Sequence, residues 1–245
     1  MIRYMKADLH RISRRIPRYI SLLCVFAVLV ILMLVILKGK TPFEIVDLMT
    51  KIVPYLCGIF GLLEYIFVYS DDLKAKTMQI AIGTGISRRR VVLAKWIETA
   101  VLCILDILML IILILVCSAL KGAVFSGEPV RDLCILFFFG LIKVLGAVGF
   151  TMIFVFWTQN ASAGMLLFLA FMLGIVNLLF DSIASIGPLE GLHLSSFLFS
   201  NLLDAAKSRL IIGTFSPAYF LGLIIYLAAF YFITVKLFER CELEF

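Results

Sequence analysis

The sequence predicts an all-α polytopic membrane bundle, a single domain over residues 1–245 with six transmembrane helices, and three observations carry this. Hydrophobic residues make up 63% of the 245 and charged residues 16%, against roughly 45–50% and 25% in an ordinary soluble domain. The apolar residues gather in runs of about 20, the length at which a helix crosses hydrocarbon. Lysine and arginine are shared unequally among the segments joining those runs, which is the pattern that orients membrane helices. So low a charge content does not keep a compact soluble surface wetted, so composition argues against a soluble enzyme.

The first crossing is expected over 19–37, an uncharged run behind a basic arm of Arg3, Lys6, Arg11, Arg14, Arg15 and Arg18. It is longer than the about 7–15 residues of a signal-peptide core and lacks a small-x-small exit before Lys38, so it reads as a retained helix. The second, third and fourth crossings fall at 52–69, 97–120 and 133–157, each long enough for roughly 30 Å at about 1.5 Å per residue. The fifth and sixth fall at 162–180 and 211–236. Between them an external segment, 181–210, covers the bundle. Its mildly apolar stretch 183–199 leaves a short interfacial or re-entrant helix open, while Gly187-Pro188 argues against a further crossing.

Six crossings put both termini on one side, and the charge distribution selects it. Fourteen Lys/Arg fall in the amino arm, the loop after the second helix and the tail, against seven on the opposite side. Both termini are therefore expected to be cytoplasmic. The net charge of +6 is accounted for by this topology and by anionic lipid headgroups, and no nucleic-acid motif competes. Arg11, Arg14, Arg15 and Arg18 are expected to line a membrane-surface arm at headgroup level before Pro17 turns the chain, with partner binding as the alternative. Trp96, Trp157 and Tyr69 fit the cytoplasmic boundary.

Five of the six cysteines lie in apolar runs and Cys241 lies in the tail, with no CxxC pair, so they read as small packing groups. His193 has no neighbouring ligand pattern, and no metal centre or catalytic set is expected. Gly140, Gly146 and Gly149, with Ala161-Ser162-Ala163-Gly164, allow close helix contact, within one subunit or between two copies. Asn177 is placed to bond across helices, Pro217 to bend the sixth, and Phe137–Phe139, Phe154 and Phe156 to pack or to line a hydrophobic conduit.

The polar element richest in pattern is the loop 70–96. Met78, Ile80, Ala81 and Ile82 make an apolar patch, Gly83 and Gly85 turn it, and Ser87 is placed to cap a second helix opening on Arg88–Arg90. The loop reads as helix, turn, helix, either a basic anchor that fixes topology or a contact that transmits motion from a soluble partner. At MQIAIGTGISRRRVVLAKW, residues 78–96, the sequence resembles the permease subunits of ABC-2 type ATP-binding cassette exporters, among them small bacterial peptide or drug efflux and immunity permeases. Six crossings, internal termini and a longer external segment between helices five and six fit the same resemblance.

The resemblance implies that Gln79, Gly83, Ser87, Arg88 and Lys95 belong to a coupling region that meets a separate nucleotide-binding subunit, with Arg89 and Arg90 as further basic positions. It also implies two ABC ATPase subunits, a second permease copy or homologous permease, and ATP and magnesium bound on the ATPase. This chain has no G-x-x-x-x-G-K-[ST] loop of its own, and Gly83-Thr84-Gly85 lacks the lysine and hydroxyl that hold phosphate and magnesium, so no cofactor and no enzymatic activity are expected of it. The expected function is ATP-driven export of a hydrophobic or amphipathic substrate, an antimicrobial peptide among the candidates. A non-transporting membrane scaffold or signalling subunit is the alternative, and a proton-coupled transporter a weaker one.

Glu64, Asp106 and Lys143 stand inside the crossings, where an unpaired charge costs roughly 2.5–3.5 kcal/mol near the centre. They are read as an intramembrane network that locks helices together or borders a pathway, with Glu64 and Lys143 as a candidate pair.

Overall fold

The computed structural model describes residues 2–70, 72, 77–184 and 194–241, and among these every regular element is a helix. Helix α1 (Ile2–Ser13) is amphipathic and ends where Arg15, in an extended conformation, precedes α2 (Ile16–Ile36), with Pro17 in the first turn. Helix α3 (Pro42–Tyr65) opens on a capping box in which the Glu44 amide donates to Thr41 Oγ1 and the Thr41 amide donates to Glu44 Oε2 at 2.7 Å. It continues through a π-helical turn, Ile66–Ser70, that buries Phe67, Val68 and Tyr69. Then follow α4 (Thr77–Gly83), α5 (Arg88–Leu120), α6 (Glu128–Thr158), α7 (Ala161–Met172), α8 (Ile175–Ala184), α9 (Phe199–Ile211) and α10 (Pro217–Arg240).

Among the described residues, five helices are long and apolar enough to cross a membrane, α2, α3 with its π turn, α5, α6 and α10, or six if the bent pair α7–α8 counts as one. The fifth expected crossing, 162–180, is therefore broken. Gly174 at φ +79° ends α7 with its amide on the Phe171 carbonyl, and α8 leaves at 70°. Three expected boundaries also move. The second crossing starts at Pro42 rather than residue 52, because the capping box and Pro42 nucleate it earlier. The basic stretch before residue 97 is the first two turns of α5 itself. Ile211 closes α9, and the sixth crossing starts at Pro217 after the Gly213 turn. Of the segment expected to be external, 199–211 is helical, while 185–193, with Gly187-Pro188 and His193, lies outside the described residues.

The core is built around α6, which packs on α3, α5, α7, α9 and α10. Its small residues are what let the neighbours approach. A Cβ on Gly140 would collide with the Cys57 sulfur, and one on Gly146 with the Phe199 ring, so both glycines serve packing within this chain. Cys57, Cys103 and Cys117 are buried and all six cysteines are free. By contrast α2 and α10 turn rows of apolar side chains outward, such as Leu23, Val35, Ile224 and Phe232, as lipid-facing helices do. These features identify a helical protein suited to a membrane.

Candidate functional site

Polar function gathers at one end of the bundle, where α1, α4, the start of α5 and the ends of α3, α6 and α10 meet. The turn between α4 and α5 follows from its glycine. Gly85 sits at φ +94°, its amide donates to the Ile82 carbonyl, and the Ile86 amide reaches back to the Ala81 carbonyl, which is the paired bonding of a Schellman stop. Met78 and Ala81 are buried while Ile80, Gly83, Ser87, Arg89 and Arg90 are exposed. Of the loop 70–96, read as helix, turn, helix, residues 77–96 take that form, with the second helix running unbroken into a long apolar span. Ser87 takes the N-cap backbone conformation without a side-chain bond.

The basic positions divide by role. Arg88 donates to the carbonyls of Phe238 and Cys241, at 2.6 Å for the latter, and lies 5.3 Å from the centre of the Phe238 ring, so it closes the carboxyl end of α10. Arg89 pairs with Glu239 at 2.7 Å. Arg90 is exposed. The Gln79 side chain, Lys74 and Lys76 lie outside the described residues.

Lys95 does not reach the surface with them. It is fully buried and ion-paired with Asp8 of α1, with Asp72 and, at 3.2 Å, with Glu98 one turn on. Arg11 closes the cluster, holding Asp8 at 2.5 Å and also Asp72. Lys95, which the resemblance assigns to the coupling region, is thus enclosed by carboxylates, without which a buried ammonium is costly. Burial pushes the Asp8 carboxyl up, but the Lys95 ammonium and Arg11 outweigh burial and hold it below the ordinary carboxylate value. Burial raises the Tyr4 phenol to about 12. Burial alone would lower Arg11, yet Asp72 and Asp8 hold it above its ordinary value.

A second cluster lies deeper. Arg18 donates from Nε and Nη2 to Glu64 at 2.7–3.2 Å, and Asp106 Oδ1 stands 3.8 Å from Nη2. All three side chains are at most 7% exposed, and they join α2, α3 and α5. Two expectations change here. Arg18 is not part of the surface arm, although Arg14 is exposed. Glu64 pairs with Arg18 and not with Lys143, which instead borders a small cavity of ≈ 50 Å³ with Thr50, Gly140, Asp204 and Lys207.

No protein-family model matches the chain, and no curated protein is significantly similar to it. Chemistry is then read from the residues. Both clusters are ionic fasteners between helices, and among the described residues neither presents a nucleophile with a base beside it. Asp8, Asp72 and Glu98 escaped sequence reading, although the Lys95–Glu98 spacing of three on one helix was a usable signal. Asn177 does bond across, to Ser200 of α9. Trp157 is exposed, Trp96 stacks on Tyr231 at 6.3 Å, and Tyr69 is buried.

Proposed function

We propose that this chain is the membrane-spanning subunit of an ATP-driven exporter of the ABC-2 kind, with both termini cytoplasmic and ATP hydrolysed on separate partner subunits. The observation that carries the reading is the α4–Gly85–α5 corner. The segment that resembles a coupling region folds as a short docked helix joined through a tight turn to the base of a crossing, with Ile80, Arg89 and Arg90 outward. A force on α4 is passed through the Gly85 turn to α5, and through Lys95 to Asp8 of α1 and to Asp72. The exported substrate is hydrophobic or amphipathic, which suits a bundle whose outer helices open onto lipid.

The test is purification from the native membrane together with an ATPase bearing a G-x-x-x-x-G-K-[ST] loop, followed by nucleotide-dependent movement of an amphipathic substrate in proteoliposomes. Arg90→Glu is expected to lower coupled ATP hydrolysis by about tenfold, as loss of a charged interface contact does, with insertion unchanged. Stable association without nucleotide-dependent movement would favour a scaffold instead.

A further inference from the structure

Lys143 stands at the midpoint of α6, where an ammonium without a counter-charge is costly. Among the described residues it forms neither an ion pair nor a hydrogen bond, and the charged groups that act on it are Asp204 and Lys207 of α9. All three side chains border the cavity of ≈ 50 Å³ between α3, α6 and α9. Helix α9 lies along the first half of α6: Phe199 packs on Gly146 at one end, and at the other the Ile211 carbonyl accepts from Arg131 at 3.4 Å. Asn201, Asp204 and Ser208 are exposed along one face of α9, so a polar edge runs from the cavity to the end of the bundle opposite the α4–α5 corner.

Charge, donors and size select the occupant. One carboxylate faces two ammonium groups, and Lys207 already holds Asp204 Oδ1 at 2.8 Å, so the surplus positive charge of the cavity rests on Lys143. Asp204 competes weakly for it, because its side chain is 63% exposed and a solvated carboxylate is screened. Ser200, also on the cavity wall, accepts from Asn177 and keeps its own hydroxyl proton for an acceptor. A volume of ≈ 50 Å³, at roughly 10–15 Å³ for each water held, admits a monatomic ion with a water or two. It lies far below the roughly 300–1,000 Å³ of sites that hold drug-sized ligands, so neither a lipid nor a large organic cargo fits. We infer that this cavity binds one small monovalent anion of chloride size between Lys143 and α9. A cation would meet the surplus positive charge, and water alone would leave Lys143 without a counter-ion inside a crossing. The site does not rest on the exporter reading.

The test uses the full chain in phosphatidylcholine nanodiscs at neutral pH, without any ATPase. Chloride binding is read from NMR line broadening of the ion in a gluconate background, relative to empty nanodiscs. Bromide should displace the bound chloride, whereas sulfate at matched ionic strength should not. Lys143→Met should weaken binding at least about tenfold, the worth of one charge-assisted contact, and Lys236→Met, which removes an exposed lysine elsewhere, should leave it unchanged. Asp204→Asn should tighten binding by about two- to fivefold, because it takes a screened like charge from beside the anion. Equal displacement by sulfate, or equal loss in Lys143→Met and Lys236→Met, would overturn the site in favour of surface screening. Chloride binding that appears only in Asp204→Asn would make Asp204 the counter-ion of Lys143 and overturn it too. The bromide and sulfate comparison is made on the unaltered protein, so it decides even where a variant fails to fold.

Discussion

The charges inside this bundle follow two different rules. Glu64, Asp106 and Arg18 converge from three helices and are almost wholly enclosed, as are Lys95, Asp8, Asp72 and Glu98 one level nearer the α4–α5 corner. Lys143, on the most buried crossing, is only half-buried and faces Asp204 and Lys207 of α9 across a small cavity. Enclosed charges hold elements together because each one is costly without the others. A half-solvated charge on a helix end or cavity wall contributes little to packing. Position along a crossing is therefore a poor guide to a charge's role, and the partners decide it.

Removing one enclosed partner should have the largest effect. Glu64→Gln removes the carboxylate that accepts the close Arg18 hydrogen bonds, leaving the guanidinium only Asp106 at 3.8 Å, and is expected to destabilise the bundle by about 3–5 kcal/mol, measured as a lowered unfolding midpoint in nanodiscs. An apolar contact is next. Gly140→Val places methyl groups against Cys57 and should cost about 1–3 kcal/mol of overpacking, with the charge clusters intact.

The Asp8 fastening is smaller and depends on pH. Its folded value is depressed, so its contribution is complete above the unfolded value of about 4 and is lost as pH falls through the lower folded value. Distances between spin labels at Lys6 and Arg90, in a cysteine-free background, should stay narrow at neutral pH and broaden only in strong acid. Broadening between pH 5 and 7 would assign the hold on α1 to another group. Smallest of all, Lys143→Met should change stability by no more than about 1 kcal/mol.

Much of the architecture was legible. Crossings two, three and four and the glycine contacts follow from apolar runs and small residues, which act locally. Their starts were misplaced where a local signal overrode hydropathy, as the Thr41–Glu44 box did for α3. The break at Gly174 was hidden because an apolar run reads the same whether straight or bent. At the candidate site the α4–α5 turn was visible through Gly83 and Gly85, and the partners of its charges were not. Arg18 looked like one more member of a basic arm. The pairing of Asp8 and Arg18 depends on α1 and α2 lying beside α5, a long-range arrangement that residue spacing does not encode.

The claim that enclosure decides a charge's role is tested most directly by two double-mutant cycles on one pivot, measured by unfolding in nanodiscs. Arg18→Met with Glu64→Gln should show a coupling of about 2 kcal/mol or more, and Lys143→Met with Glu64→Gln one within about 0.5 kcal/mol of zero. A coupling between Glu64 and Lys143 equal to or larger than that between Glu64 and Arg18 would contradict it.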